Sequence, residues 1–118
     1  MKYMILIYES EAERATMSQA DRQQITADYS GFIAGMQRAG VMLAGAPLEP
    51  VSTATTVRLR NNKTLTTDGP FAETKEQLGG YCLLDCTSLD DALNWAARCP
   101  SARIGSIEVR PLINIPGM

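Results

Sequence analysis

Apolar residues recur along the chain with two different periods, and these periods predict the order of its secondary-structure elements. Residues 3–8 are continuously apolar, which predicts a buried strand. Between Ser18 and Gly40 the apolar positions recur every three or four residues, which is typical of a helix that buries one face. That face carries Ile25, Tyr29, Phe32, Ile33 and Met36.

The second half of the chain is predicted to form strands and turns, with one further helix between the last two strands. Glycine and prolines punctuate residues 41–54 and predict a loop. Residues 55–60 alternate between apolar and polar, and Asn61-Asn62 predicts a tight turn into a partner strand at 63–67. A loop from 68 to 79 then leads to a strand at 80–86, to a helix that begins after Ser88 and ends at Pro100, and to a last strand at 104–110.

The order β-α-β-β-β-α-β predicts a single ferredoxin-like α+β domain over residues 1–118, with two helices on one face of an antiparallel sheet. The first strand is apolar on both faces, because Tyr3, Ile5 and Ile7 alternate with further apolar side chains. Two helices cover only one face of such a sheet. We therefore expect a homodimer in which two sheets pack face to face.

Composition excludes several classes of function. The chain has no histidine, which excludes Ser-His-Asp and Cys-His mechanisms and any zinc site that needs imidazole. Eleven basic and thirteen acidic residues include no basic run, so a nucleic-acid partner is not expected. The first apolar run is too short for a signal peptide or a membrane span, and we expect a cytoplasmic protein.

The three cysteines do not predict a disulfide framework. An odd count without a secretory signal argues against one. On a strand, Cys82 and Cys86 would lie about 13 Å apart, too far for one disulfide or one metal ion. We interpret them as small buried hydrophobes, and the sequence assigns no role to Cys99.

The segment from Asp68 to Tyr81, DGPFAETKEQLGGY, resembles the signature of the DGPF branch of the YCII-related family. The similarity continues through residues 92–100, Gly105 and residues 107–111. It implies a dimeric α/β barrel. Some relatives in the wider superfamily act on lactones or chlorinated aromatic breakdown products without a cofactor, and the catalytic pair proposed for them is a histidine and an aspartate. Since this chain has no histidine, only the aspartate, Asp68, carries over.

Asp68 is the candidate catalytic residue. The Asp-Gly-Pro turn stiffens the backbone, because Gly69 is expected to be extended before Pro70, and this would aim the carboxylate as a general acid or base. Equally, Asp68 would serve only the turn by accepting backbone N–H groups. We expect Phe71 and Leu78 to order the loop that follows.

Lys75, Tyr81 and Arg110 are candidate substrate-binding residues, each with a structural alternative. Lys75 and Arg110 would hold a small anionic ligand, and Tyr81 would line a pocket. The alternatives are an interface role for Lys75, a salt bridge between Arg110 and Glu108, and core packing for Tyr81.

Two functional hypotheses follow. The first is a small cofactor-independent enzyme that acts on a small organic acid or lactone by carboxylate acid/base chemistry, with Asp68 as the acid or base. The second is a ligand-sensing or protein-interaction module. Members of the DGPF branch are often associated with extracytoplasmic-function sigma factors, so the resemblance implies a sigma factor as a possible partner. No cofactor is expected, since the chain has neither a P-loop nor a dinucleotide fingerprint.

Overall fold

The computed structural model describes residues 1–117 and contains a four-stranded antiparallel sheet with its helices on one face. The elements are β1 (Lys2–Glu9), α1 (Glu11–Ala15), α2 (Gln19–Arg38), β2 (Met42–Pro47), β3 (Thr55–Arg60), β4 (Lys63–Asp68), β5 (Gln77–Asp85), α3 (Leu89–Arg98) and β6 (Ser106–Pro111). Short 3₁₀ turns lie at Val51–Thr53 and Pro100–Arg103. The sheet order is β2-β5-β1-β6, which is that of a ferredoxin-like fold.

The predicted α+β class is confirmed, but the strands that fill the sheet differ from those predicted. Residues 42–47 form the edge strand β2, where the sequence analysis predicts a loop. A β-carbon at Gly45 would lie 3.0 Å from the Tyr81 carbonyl oxygen, so glycine is what lets this strand approach β5. Pro47 is tolerated because an edge strand leaves some N–H groups unpaired.

The β3–β4 hairpin is a separate two-stranded sheet that does not join the main one. We call residues 55–71, this hairpin with the turn that follows it, the arm. Asn61 and Asn62 make its turn with φ of 51° and 60°, as the sequence predicts. The arm exposes large apolar side chains: Val57, Leu59, Leu65 and Phe71.

Serine caps fix where the two long helices begin. Ser18 accepts a hydrogen bond from the Asp21 backbone N–H at 3.1 Å, and Ser88 accepts one from Asp91 at 3.1 Å. The sequence predicts both starts. It does not predict α1, a single short helix capped by Ser10.

The core lies between the sheet and the helices. Tyr3, Ile5 and Ile7 of β1 are buried against Phe32 and Met36 of α2, as the predicted faces require. The opposite face of β1 carries Met4, Leu6 and Tyr8, which are only partly buried. One face of the sheet is thus covered and the other is open.

All three cysteines are free and buried in this core. Burial raises the pKa of the Cys82 thiol to about 11, so the thiol stays protonated near neutral pH. The prediction that Cys82 and Cys86 are small hydrophobic core residues is confirmed.

The two glycines of α2, Gly31 and Gly35, do not lie against the sheet. Gly35 faces α3, and a β-carbon added to it would lie 3.8 Å from the Trp95 ring. Gly31 borders open space. Close packing of a helix against the sheet is therefore not their role.

No helix within residues 1–117 is long and apolar enough to cross a membrane.

Candidate functional site

A cavity of about 610 Å³ lies between α2 and the covered face of the sheet. Its walls are mainly apolar and include Ile7 of β1, Ile25 and Ile33 of α2, and Pro47, Leu48 and Pro50. Most of its polar side chains gather at one end, where β1 ends and α1 begins: Glu9, Glu11, Arg14, Tyr29 and Gln77. A concave, mostly apolar space with a few convergent polar groups is the usual form of a small-molecule site.

The chain turn after β1 brings Arg14 onto Glu9. Ser10 caps α1 by accepting from the Glu13 backbone N–H at 3.2 Å, so one helical turn carries Arg14 back over the end of the strand. The Arg14 guanidinium contacts the Glu9 carboxylate, whose side chain is only 15% exposed. The result is an ion pair in the cavity wall.

Two further hydrogen bonds fix α1 against the cavity. The Glu11 backbone N–H donates to Gln77 Oε1 at 2.9 Å, and the Val51 backbone N–H donates to Glu11 Oε2 at 3.0 Å. The Glu11 carboxylate is therefore bound to the backbone of Val51, whereas the Glu9 carboxylate pairs with Arg14 and is also contacted by a residue of the core.

That contact comes from Ser101, which is fully buried in the 3₁₀ turn after α3. The Ser101 hydroxyl donates to Glu9 Oε1 and also lies within hydrogen-bond distance of the Tyr29 hydroxyl. The Tyr29 oxygen lies 3.3 Å from Cys99 Sγ. Burial is the main cause that raises the pKa of Tyr29, and it also raises the pKa of the Cys99 thiol.

The predicted site residues are not brought together at this cavity. Asp68 ends β4 on the exposed arm, opposite Thr55, and Lys75 is exposed in the loop that follows the arm. Arg110 lies on the open face of the sheet, where its Nε is 3.0 Å from Glu108 Oε2. Within residues 1–117, neither Asp68, Lys75 nor Arg110 lines the cavity.

Tyr81 is the one predicted residue that borders the cavity, through its position in β5. Its side chain lies on the face opposite that of buried Cys82, because successive residues of a strand alternate. In the sheet register Tyr81 pairs with Leu6 and Ala46.

The Asp-Gly-Pro turn is held differently from the sequence expectation. Gly69 has a φ of +99°, a conformation that favours glycine, and not the extended form expected before proline. Its backbone N–H donates to the Ala54 carbonyl at 2.7 Å, and its own carbonyl accepts from Thr56 Oγ1 at 2.8 Å. Phe71, expected to order the loop, is 77% exposed. One backbone and one side-chain hydrogen bond to residues at or just before the start of β3 therefore hold the turn.

Sequence reasoning missed Glu9, Arg14, Tyr29 and Ser101 as site residues. Periodicity places Tyr29 on the core-facing side of α2, and nothing in the sequence marks its hydroxyl as a cavity group. The only local signal is Glu9 itself, a charged residue that directly follows a strand of apolar residues.

A second, shallower space of about 490 Å³ lies between α2 and α3 on the outer surface. Arg98 stacks over the Trp95 ring at 4.5 Å, and Arg103 pairs with Asp28 at 2.8 Å. The Arg103 hydrogen bond, followed by that of Gln24, holds the pKa of Asp28 below its ordinary value. In the part of the chain that the structure describes, no cluster of side chains is suited to hold a metal ion.

A family model for the YCII-related domain matches residues 1–116. The chain belongs to the YCII-related family. An uncharacterised protein of Rhizobium meliloti (strain 1021), R00369, is 40% identical to it over 114 residues, which are 95% of this chain and 92% of the relative.

A solved structure is similar in fold. The 5-chloro-2-hydroxyhydroquinone dehydrochlorinase TftG of Burkholderia phenoliruptrix AC1100, in complex with 2,5-dihydroxybenzoquinone, gives a TM-score of 0.50 at 13% identity. The alignment covers 96% of this chain and 94% of TftG. At this identity, the similarity supports the fold of this YCII-related protein and not its chemistry.

Proposed function

We propose that this YCII-related protein is a small cofactor-independent enzyme that acts on a small organic acid or lactone, with the Glu9 carboxylate as the acid/base group. The observation that carries the proposal is the position of Glu9, a mostly buried carboxylate in the wall of a largely apolar cavity of about 610 Å³. Cavities of roughly 300–1,000 Å³ are typical of sites for small molecules.

Arg14 supports an anionic substrate. A guanidinium has five N–H donors in a planar fork, and a single nitrogen of Arg14 makes the contact to Glu9. The Arg14 side chain is 36% exposed, so solvent-facing donors remain to bind a substrate carboxylate or a lactone carbonyl. The isoleucine walls would hold the hydrocarbon part.

Glu9→Gln tests this proposal with the cyclic keto acid 4-oxocyclohexane-1-carboxylate as the probe. The wild type should bind the probe and exchange its α-protons for deuterium faster than buffer does, as followed by proton NMR in D₂O. Glu9→Gln keeps the shape but removes the base, and should slow the exchange by about 100-fold or more. Glu13→Gln, on the exposed side of α1, is the matched control and should keep the wild-type rate.

The proposal fails if the wild type neither binds the probe nor exchanges its protons. It also fails if Glu9→Gln exchanges them as fast as the wild type. TftG is described in complex with a small ring compound, 2,5-dihydroxybenzoquinone, which makes that compound a reasonable second probe.

The homodimer remains part of this proposal. The open sheet face presents Met4, Leu6, Tyr8 and Leu83, all partly buried in the single chain. Packing of two such faces would remove this apolar surface from water. Leu6→Asp should then give a monomer in light scattering, whereas Leu93→Asp, at an exposed leucine of α3, should leave the mass unchanged.

The sequence-derived roles of Asp68, Lys75, Tyr81 and Arg110 also remain proposals. Asp68 and Lys75 lie away from the cavity of their own chain, so a role for them in the reaction requires the second copy. Asp68→Asn in the deuterium-exchange assay separates the two hypotheses for this residue. A catalytic role is supported if Asp68→Asn slows the exchange in the dimeric protein but not in the monomeric Leu6→Asp background. A structural role in the turn is supported if Asp68→Asn leaves the exchange rate unchanged.

The arm favours the alternative function, a protein-interaction module. Val57 and Leu59 are each 63% exposed and Phe71 is 77% exposed, and exposed apolar side chains grouped on one element mark an interaction surface. The partner implied by the family resemblance is an extracytoplasmic-function sigma factor. The alternative is favoured if the wild type binds the purified sigma factor but not the keto acid. Phe71→Ser should then abolish binding of the sigma factor.

A further inference from the structure

Three hydrogen bonds connect the interior of the protein to the candidate base. Cys99, Tyr29, Ser101 and Glu9 form one continuous chain of polar groups, and Glu9 and Tyr29 both line the cavity. Ser101, in the middle, is fully buried. Tyr29 lies in α2, Glu9 ends β1, Ser101 lies in the 3₁₀ turn, and Cys99 directly precedes that turn.

The direction of each hydrogen bond follows from the number of hydrogens that each group carries. An ionised carboxylate only accepts, so Ser101 donates its single hydroxyl hydrogen to Glu9. The Ser101 oxygen must then accept from the Tyr29 phenol, and the Tyr29 oxygen can accept from the Cys99 thiol. With Glu9 ionised, every donor therefore points toward Glu9.

Protonation of Glu9 reverses this order. A protonated Glu9 donates to Ser101, and Ser101 then donates to Tyr29. The phenolic hydrogen of Tyr29 is no longer needed inside the chain and becomes available to a group in the cavity. A substrate that gives its proton to Glu9 would thus turn Tyr29 into a donor toward that substrate.

We propose that Tyr29 is the second acid/base residue of the cavity and is coupled to Glu9 through Ser101, so that the protein catalyses enolisation or isomerisation of carbonyl compounds with an acidic α-C–H bond. The inference rests on the proposed function. The substrate class is cyclic keto acids and lactones, in which an apolar ring carries both the carbonyl and the α-carbon.

The proposed step is balanced without a co-reactant. The α-C–H bond breaks, its proton goes to Glu9, and its electron pair moves into the enolate, leaving the negative charge on the substrate oxygen. Tyr29 gives its proton to that oxygen, Ser101 gives its own to Tyr29, and Glu9 gives the substrate proton to Ser101. One proton has moved from carbon to oxygen, and the protein is again in its starting state.

Burial supports the assigned direction of the bonds. It raises the pKa of both Tyr29 and Cys99, so both groups keep at neutral pH the hydrogen that the assigned direction requires them to donate.

The first test repeats the deuterium exchange of 4-oxocyclohexane-1-carboxylate with variants of the connecting groups. Tyr29→Phe and Ser101→Ala should each slow the exchange by about tenfold or more while the probe Kd changes by less than about threefold. Tyr3→Phe and Ser30→Ala are the matched controls, since neither residue lines the cavity within residues 1–117, and both should retain the wild-type rate.

The second test needs no turnover. In protein labelled with 3-fluorotyrosine, fluorine NMR follows the ionisation of residue 29, identified by its loss in Tyr29→Phe. The Glu9 charge raises the pKa of Tyr29. When Tyr29 ionises, the phenolate only accepts, so Ser101 turns its hydrogen toward Tyr29, and this hydrogen bond lowers the pKa of Tyr29. Glu9→Gln should therefore lower the pKa of this phenol, and Ser101→Ala should raise it.

The outcomes separate the two proposals. If Glu9→Gln loses the exchange but Tyr29→Phe keeps it, the coupling is wrong and Glu9 acts alone. The same conclusion follows if neither Glu9→Gln nor Ser101→Ala shifts the pKa of Tyr29. If the wild type shows no exchange, the proposed function itself is wrong.

Discussion

Ser101→Ala is the substitution that most directly measures how strongly the buried hydrogen bonds hold the site together. The hydroxyl is fully buried, donates to a carboxylate and accepts from a phenol. A hydrogen bond to a charged group contributes about 1.5–3 kcal/mol and a neutral one about 1 kcal/mol. We therefore expect the free energy of unfolding to fall by about 2.5–4 kcal/mol.

The size of the chain converts this loss into a melting temperature. At about 2.1 cal/mol/K of unfolding entropy per residue, 118 residues give a decrease in Tm of roughly 10–16 °C. Differential scanning calorimetry measures it. Ser30→Ala, at an exposed position of α2, should change the unfolding free energy by less than about 0.5 kcal/mol. If the two variants are equally stable, Ser101 does not make the two bonds assigned to it.

Other substitutions test the fold. Met36→Ala, at a fully buried position against β1, should lower the unfolding free energy by about 2–5 kcal/mol in urea titrations, and a loss below about 1 kcal/mol would mean that this core is loosely packed. Gly105→Ala would press a methyl group into the Tyr8 carbonyl oxygen, whereas Gly31 borders open space, so the Tm of Gly105→Ala should be lower than that of Gly31→Ala. Equal Tm values for the two variants would mean that the turn before β6 does not lie against Tyr8. Native protein at pH 8 should react only slowly with Ellman's reagent, since burial raises the pKa of Cys82 to about 11, and rapid native labelling would contradict the buried thiols. The pKa of the Cys82 thiol in the folded protein lies above its ordinary value of 9.0, so the unfolded state loses this proton first and stability should fall as pH rises from about 9 to 11. The prediction is wrong if the Tm of the wild type stays constant over this range while that of Cys82→Ala falls.

Local periodicity is sufficient for the elements with strong patterns. The helix after Ser18 and the strand before Glu9 have many apolar positions at a constant spacing, and their faces are buried as predicted. β2 has no such signal. Its sequence, MLAGAP, contains no β-branched residue, and it is a strand because β5 offers it an edge.

For the arm, the sequence predicts the local hairpin but not where the hairpin lies relative to the main sheet. The alternation of residues 55–60 and the Asn61-Asn62 turn predict a hairpin, and the hairpin forms. The same pattern does not indicate whether a hairpin joins the main sheet. Here it stands apart, and this places residues 68–71, the Asp-Gly-Pro-Phe turn, away from the cavity of their own chain.

The candidate site is hidden from the sequence because its members are distant and locally ordinary. Glu9, Tyr29 and Ser101 each have a plain local role, as a strand end, a helix-face aromatic and a turn serine. Only the packing of α2 and the 3₁₀ turn onto β1 joins them. Because the chain has no histidine, the acid/base pair that we propose for the cavity is a carboxylate, Glu9, linked to a phenol, Tyr29.

The central claim is that the cavity beside Glu9 binds the substrate. Titration of ¹⁵N-labelled protein with 4-oxocyclohexane-1-carboxylate, followed by amide chemical shifts, tests it most directly. We expect saturable shifts at Ile7, Ile25, Ile33 and Gln77 that weaken in Arg14→Gln. Saturable shifts confined to the arm or to the groove between α2 and α3, or none at all, would contradict the account.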